Sequence, residues 1–320
     1  MARGEVLIAH ADWSAAPAKR WLALALPKGQ GWTAQPPQPV GELDTLLSRL
    51  LHLAGPDTAV LLGVDFPIGL PQAYAHRVGA DDFVALLPQL GRGEWADFYA
   101  VAEAPEQISL RRPFYPKRPG AARRQHLVDA LGLPSAEALL RRCDRAQPDR
   151  PAAAPLFWTL GAQQVGKAAI AGWRDLLGPA LRRGSPPVAL WPFHGPLAEL
   201  VQPGRVVVAE AYPRNGYRRL GVRFDRALGG GKGSQAQRRA NGAALLAWAA
   251  AAGVDLAEPL VAAIRDGFGA DAAGEDRFDA VVGLCGLVEV VAGRCPTGEP
   301  DDPAVRRIEG WILGQVSGDR

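Results

Sequence analysis

Three apolar segments of the chain each end in a carboxylate, so a sheet built from them would carry acids at its edge. The segments are residues 5–12, 58–65 and 204–213, and their acids are Asp12, Asp65 and Glu210. Short unbroken apolar runs are typical of strands buried on both faces, and open α/β sheets bind their ligands at the carboxyl ends of such strands. The pattern therefore predicts that the three acids meet at one edge of a sheet.

A helix predicted over residues 274–293 adds two further acids. Asp276 and Asp279 are three residues apart, so they share one face near its start, where the positive end of the helix favours acids. The same face continues in small residues that let a helix press against a sheet, namely Ala280, Gly283 and Gly286.

Converging carboxylates predict a binding site for a hard divalent cation. Mg²⁺ and Mn²⁺ prefer oxygen ligands, and without a cation the crowding would force some of the acids to take up a proton. The candidate ligands are Asp12, Asp65, Glu210, Asp276 and Asp279. The alternative interpretation is that each acid caps its own turn or helix.

Cations that could neutralise a phosphate occur in the segment "LRRPFYPKRPG", residues 110–120. They are interleaved with Phe114 and Tyr115, and they are Arg111, Arg112, Lys117 and Arg118. Such a loop could bind phosphates and stack on a base. The alternative is a solvated loop of an Arg-rich protein.

Lys232 lies in "GGGKGS", residues 229–234, just before a predicted Ala-rich helix. The segment does not complete a phosphate-binding loop, because Gly233 follows the Lys where Ser or Thr is required. A flexible loop with one cation near a helix start suits an anion, so Lys232 is a candidate catalytic residue. A plain connecting loop is the alternative.

The composition is that of an ordinary soluble protein, with 48% hydrophobic and 22% charged residues over 320 positions. A net charge of +3 gives no argument for a nucleic acid or a membrane surface. Cys143, Cys285 and Cys295 form no CxxC pair, which favours a reduced, cytoplasmic protein. No segment reaches membrane-spanning length without charges, and no GxSxG or HExxH motif supports a serine hydrolase or a zinc protease.

The elements that would position these residues follow the order of an α/β protein. Strands are predicted at 5–12, 20–27, 31–35, 58–65, 187–193, 204–213 and 308–314, and helices at 41–55, 231–253 and 274–293. The region at 71–187 is punctuated by Pro, contains short helical pieces and has no large apolar core pattern. It is therefore predicted to be a helical insertion in a single domain that spans 1–320.

The motifs in this order resemble a known family. The order of strands and final helix resembles the ribonuclease H-like fold, and "EDRFDAVVGL" is similar to the terminal helix of the Holliday-junction resolvase branch. More closely, the whole chain resembles the bacterial domain-of-unknown-function family 429, described as predicted ribonuclease H-like nucleases. The matching pieces are "ADWS", "GVDFPIGLP", "VGKAAIAGW", "WPF", "AEAYP", "FDAVVGL" and "EGWI".

The resemblance implies a ribonuclease H-like mixed sheet flanked by helices, and a metal-dependent nuclease that hydrolyses phosphodiester bonds with Mg²⁺ or Mn²⁺. It assigns the family's acidic positions to Asp12, Asp65, Glu210 and Asp279, with Asp276 as an auxiliary ligand. The familiar nuclease geometry does not need the acid at Glu210. The partner it implies is a nucleic acid or a nucleotide.

Two other functions stay open at the level of sequence. One is an ATP-dependent phosphoryl-transfer enzyme on a related fold, with residues 229–234 at the nucleotide phosphates. The other is a non-catalytic binding protein in which the acids serve structure. The sequence does not indicate the oligomeric state.

Overall fold

The chain forms two compact units in a computed structural model that describes residues 5–147, 150–161, 165–225 and 229–316. The first, which we call the sheet unit, comprises the described residues of 5–65, 197–297 and 313–315. The second, which we call the aromatic unit, comprises those of 66–196 and 298–312, with residue 316. The predicted insertion at 71–187 falls within the aromatic unit.

The strands follow the predicted order, with two short additions. They are β1 (Val6–Asp12), β2 (Trp21–Lys28), β3 (Gly31–Ala34), β4 (Gln38–Pro39), β5 (Ala59–Val64), β6 (Val188–Trp191), β7 (Val206–Glu210) and β8 (Val254–Leu256). The seven strands of the sheet unit, which are all of these except β6, form a mixed sheet in the order β7-β5-β1-β2-β3-β8, with β4 paired to β2. β5 runs parallel to both β1 and β7, whereas β2 runs antiparallel to β1. The predicted α/β class with a mixed sheet is confirmed.

Helices flank this sheet and make up much of the aromatic unit. They are α1 (Leu43–Ala54), α2 (Gln72–Val78), α3 (Phe83–Leu86), α4 (Arg124–Leu131), α5 (Val165–Gly172), α6 (Gly178–Arg183), α7 (Leu197–Leu200), α8 (Pro213–Gly216), α9 (Gln235–Ala240), α10 (Gly242–Ala252), α11 (Glu258–Asp266) and α12 (Gly274–Val291). In the sheet unit α12 packs against β1 and β2, and α1 packs against β5 and β7. No helix in the described part of the chain is long and apolar enough to cross a membrane.

The close approach of α12 to the sheet depends on a glycine. A Cβ added to Gly283 would lie 2.2 Å from Cε1 of His10, so no larger residue fits between the helix and β1. His10 is fully buried there, and its Nε2 lies 3.1 Å from the carbonyl oxygen of Ala211. Burial lowers the pKa of His10 to about 4, which keeps the imidazole neutral at physiological pH. The predicted contact through small residues is confirmed at Gly283, whereas Gly286 faces open space.

The aromatic unit has its own core, so the expectation that residues 71–187 lack a large apolar core is wrong. Fully buried aromatic side chains include Tyr74, Phe83, Phe98, Phe157 and Trp173. The ring centroids of Tyr74 and Phe157 lie 4.6 Å apart, and those of Phe83 and Trp173 lie 5.0 Å apart. These residues come from turns and short helices broken by Pro, so they do not repeat at the spacing by which a core face is detected in sequence.

Four other elements differ from the prediction. Residues 308–314 do not form a strand, because Val305–Glu309 make a π-helical turn and Gly310 follows with φ at +66°. The helix predicted over 231–253 divides at Asn241 into α9 and α10. Strands β4 and β8 have two and three residues, too few for a periodic signal.

Candidate functional site

The acids at the ends of β1 and β5 lie side by side. The two strands are parallel with Ala11 opposite Val64, so Asp12 and Asp65 follow at the same edge of the sheet. Asp279 on α12 faces them, and the charges of Asp65 and Asp279 both act on Asp12. The structure therefore brings together three of the candidate ligands, which we call the carboxylate cluster (Asp12, Asp65 and Asp279).

Asp12 has the least satisfied side chain of this cluster. It is 8% exposed, and within the described part of the chain no group donates a hydrogen bond to its carboxylate. Burial raises the pKa of Asp12 well above its ordinary value, and the charges of the neighbouring acids raise it further. A buried carboxylate without a donor is costly, and folded proteins rarely keep one unless a ligand makes use of it.

Asp65 is oriented by the backbone. The N–H of Trp13 donates to Oδ1 of Asp65 at 2.7 Å. Burial raises the pKa of Asp65 to about 7; the Trp13 N–H opposes this shift, and the charge of Asp279 adds to it. Asp65 is thus held in place by a main-chain donor, while its burial disfavours the ionised form.

Asp279 differs from Asp12 in having a partner on each oxygen. The hydroxyl of Tyr217 donates to Oδ1 at 2.9 Å, and the ammonium of Lys232 forms an ion pair with Oδ2. Burial raises the pKa of Asp279, although Lys232 and Tyr217 both oppose that shift. A metal cation that binds Asp279 at Oδ2 would therefore compete with the ammonium of Lys232.

Lys232 contacts two acids on the same face of α12. Besides Asp279, its Nζ lies 3.1 Å from Oε1 of Glu275, which precedes Asp279 by one helical turn. Burial alone would lower the pKa of Lys232, but these two carboxylates outweigh it and raise the pKa, so the side chain stays charged. Lys232, the candidate catalytic residue of the glycine loop, therefore lies beside the carboxylate cluster.

The loop that carries Lys232 has a defined backbone. Gly231–Gly233 form a 3₁₀ turn, and Gly230 and Gly231 have φ values of +71° and +47°, which glycine adopts without strain. The buried Arg238 of α9 donates from Nη1 to the carbonyl oxygen of Lys232 at 2.6 Å. The loop is therefore anchored through its backbone while the Lys side chain reaches the acids.

Asp276 lies beside the carboxylate cluster. Its Oδ2 is buried and has no hydrogen-bond partner among the described residues. Burial raises the pKa of Asp276, Lys19 opposes the shift, and Glu275 and Asp279 add to it. Its charge also acts on Asp12, which agrees with an auxiliary position.

Glu210 does not join the cluster, contrary to prediction. In the parallel pairing of β5 and β7 it lies opposite Val64, so its side chain points to the same face as Val64. Asp65 is the next residue, and side chains alternate between the faces of a strand, so Glu210 points to the opposite face. It is fully buried there, at the same end of the sheet as the cluster but on the other side.

The basic segment at 110–120 in the aromatic unit is not a free cationic loop. Phe114 and Tyr115 are buried, so the prediction that they stack on a base is wrong. Arg111 lies over the ring of Trp95 at 3.6 Å and pairs with Glu94, while Arg112 donates to the carbonyl oxygens of Ala100 and Val101. Lys117 pairs with Glu103 at 2.5 Å, and Arg118 is exposed. The aromatic residues fix this segment to its own unit.

Sequence reasoning missed two side chains of the site. Tyr217 follows α8 in a stretch without periodicity, and Arg238 is one of many Arg residues. No pattern in the sequence marks either as a neighbour of α12. The backbone N–H of Trp13 was likewise unrecognised, because a main-chain donor leaves no trace in residue type.

The donor set suits a hard cation, but the arrangement is not a formed metal centre. Among the described residues, no group of three or more His, Cys, Asp and Glu is placed to hold a metal ion. Both oxygens of Asp279 already have a partner, Tyr217 on Oδ1 and Lys232 on Oδ2. The unpartnered carboxylate of Asp12 and the buried Oδ2 of Asp276 are nevertheless oxygen donors of the kind Mg²⁺ and Mn²⁺ take.

Comparisons with protein-family models, curated proteins and solved structures found no match to this chain.

Proposed function

We propose that this protein is a divalent-metal-dependent hydrolase of phosphodiester bonds, in which Asp12, Asp65 and Asp279 hold Mg²⁺ or Mn²⁺. The observation that carries the proposal is Asp12, a carboxylate that is 8% exposed and has no hydrogen-bond donor in the described part of the chain. The nearby acids Asp65, Asp279 and Asp276 disfavour its ionised form more than Lys232 favours it, whereas a bound cation would stabilise that form directly.

The residues around the cluster have distinct tasks in this proposal. A bound cation of this type supplies activation of a water molecule and stabilisation of charge on the leaving oxygen. The Trp13 N–H orients Asp65, and the Tyr217 hydroxyl orients Asp279. Lys232 places a positive charge where an anionic substrate would approach.

The choice of a phosphodiester rests on the resemblance to family 429 together with the acidic, oxygen-only character of the site. A nucleic acid or a nucleotide is the corresponding partner in our proposal. The segment at 110–120 supports no stacking contact, since Phe114 and Tyr115 are buried. The ATP-dependent alternative stays a prediction that no observation favours.

The proposal is tested by hydrolysis assays on single-stranded DNA, duplex DNA, RNA and bis(p-nitrophenyl) phosphate with Mg²⁺, Mn²⁺ or EDTA. We expect cleavage of at least one substrate that EDTA abolishes and that Asp12→Asn reduces at least a hundredfold. Asp255→Asn is the matched control, because Asp255 is an exposed acid of the same sheet that pairs with Lys28. Activity that survives in Asp12→Asn, or an absence of both hydrolysis and Mn²⁺ binding, would overturn the proposal.

A further inference from the structure

Lys232 occupies the place that a cation would need. Its ammonium forms an ion pair with Oδ2 of Asp279, while Oδ1 accepts a hydrogen bond from Tyr217. Each oxygen of Asp279 therefore already has one partner, and a second cation at Oδ2 would lie beside the ammonium of Lys232 and be repelled by it. Asp12, which shares the cluster, has no such partner in the described residues.

A second carboxylate lies within reach of the same ammonium. Glu275 is one helical turn before Asp279 on α12, and its Oε1 lies 3.1 Å from Nζ of Lys232. The side chain of Glu275 is 38% exposed and that of Asp279 is 7% exposed. The two acids thus offer Lys232 an inner and an outer contact along one face of the helix.

The ammonium of Lys232 could leave Asp279 and stay beside Glu275 without a change in the backbone of its loop. The carbonyl oxygen of Lys232 is held by Arg238, and that of Gly229 is held by Gln237. The Lys side chain, by contrast, is 43% exposed and has four rotatable bonds. A rotation of the side chain alone would take the ammonium off Asp279 and leave it beside Glu275.

We propose that Lys232 is the internal counter-ion of the metal-free site, that a divalent cation displaces it from Asp279, and that Glu275 retains the released ammonium at the rim. The inference rests on the proposed function, because it assumes that Asp279 binds the cation. Lys232 then inhibits the empty site and, once displaced, faces the anionic substrate. A monovalent cation has no charge advantage over an ammonium, so the exchange selects for divalent ions.

The first test compares Mn²⁺ binding by calorimetry in wild type, Lys232→Met and Lys28→Met. Lys28 is the matched control, because it pairs with the exposed Asp255 in the same unit. We expect Lys232→Met to bind Mn²⁺ about tenfold more tightly than wild type, since no ammonium has to leave, and Lys28→Met to bind as wild type does. Equal or weaker binding by Lys232→Met overturns the inference.

The second test uses the wild-type chain alone and so does not depend on how a variant folds. The chain has lysines only at positions 19, 28, 117, 167 and 232, so acylation of each can be followed by mass spectrometry. We expect saturating Mn²⁺ to accelerate acylation of Lys232 severalfold and to leave Lys28 unchanged. Mn²⁺ binding without a change at Lys232 overturns the displacement while the proposed function stands. If neither wild type nor Lys232→Met binds Mn²⁺, both fail.

Discussion

Both units bury acids, but they treat them in opposite ways. In the aromatic unit, Arg141 and Asp144 form a two-pronged ion pair with N–O distances of 2.8 and 3.1 Å, and both side chains are buried. Glu309 accepts hydrogen bonds from the backbone N–H groups of Gln72 and Arg142. These acids are fully engaged inside their own unit.

In the sheet unit, Asp12 is also buried, but it has no donor among the described residues. Its neighbours Asp65 and Asp279 repel it, and the nearby positive charge of Lys232 is paired with Asp279 and Glu275. Burial alone therefore does not mark a functional acid, because the aromatic unit buries acids for structure. The distinguishing property is whether the protein itself supplies the hydrogen bonds.

The largest effect is expected from breaking the satisfied pair. Arg141→Met should lower the free energy of unfolding by about 3–5 kcal/mol, because it leaves Asp144 buried without its partner. Urea denaturation followed by tryptophan fluorescence measures this loss. Lys117→Met is the control, since it removes a half-exposed ion pair of the kind that contributes little to stability. An unchanged midpoint for Arg141→Met would show that the pair is not structural.

Asp12, which has no hydrogen-bond donor among the described residues, should respond to substitution in the opposite way, with no loss of stability. Asp12→Asn should leave the metal-free protein at least as stable as wild type, because burial and the neighbouring acids already disfavour the ionised form of Asp12. The same change should weaken Mn²⁺ binding at least a hundredfold, which corresponds to about 2.7 kcal/mol. Calorimetry and urea denaturation in EDTA measure the two quantities. A large loss of stability without metal would instead make Asp12 a structural residue like Asp144.

Asp279 is a less clean position for this comparison than Asp12, and the corresponding substitution is Asp279→Asn. In the structure that substitution also removes the ion pair with Lys232, which Asp12→Asn leaves in place. A stability loss in Asp279→Asn therefore would not by itself show a capping role.

A smaller effect, dependent on pH, is expected at Asp65. Its pKa is raised to about 7 in the folded protein, against about 3.9 for an unfolded Asp. Between these values the folded chain holds a proton that the unfolded chain has lost, so unfolding free energy falls as pH rises through this window. Relative to Asp65→Asn, whose amide oxygen can still accept from Trp13, wild type should lose on the order of 1–2 kcal/mol between about pH 4 and pH 7 after solvent screening. Parallel stability profiles of the two proteins in EDTA would contradict this.

The smallest effect is expected from Tyr217→Phe. The variant keeps the ring that packs on Phe224 and Phe278 but removes the hydroxyl that donates to Asp279. Loss of this orienting bond should weaken Mn²⁺ binding by about 0.5–1.5 kcal/mol, which is at most about tenfold. Stability in EDTA should change little, because Asp279 keeps Lys232. A loss as large as that in Asp12→Asn would mean that Tyr217 contacts the cation or the substrate directly.

Most strands of the sheet unit could be predicted from the sequence, because they are short apolar runs that end at turns. Asp12 and Asp65 were found in this way, and so was the helix that carries Asp279. Glu210 was misplaced for a physical reason: it lies opposite Val64, one position earlier than Asp65. Both acids follow apolar runs, and only the register of strand pairing, which a single sequence does not carry, separates the two faces.

The aromatic unit was less predictable because its side chains are defined by contacts between distant segments. The cations of 110–120 are indistinguishable in sequence from a phosphate-binding loop. Only the structure shows that Arg111 is paired with Glu94 and that Arg112 holds backbone carbonyl groups. In the same way, nothing in the sequence separates the satisfied Asp144 from the unsatisfied Asp12.

The contact between His10 and Gly283 has a consequence for the choice of metal. His10 is two residues before Asp12 on β1, and Gly283 is one turn after Asp279 on α12. The imidazole ring of His10 packs directly on the backbone of α12 at Gly283. This contact sets the distance between β1 and α12 close to Asp12 and Asp279. In the proposed site, this buried contact would therefore determine which size of ion fits between the acids. Mg²⁺–oxygen bonds are about 2.0–2.1 Å and Ca²⁺–oxygen bonds about 2.3–2.6 Å, so Gly283→Ala, by pushing the two elements apart, would shift preference toward the larger ion.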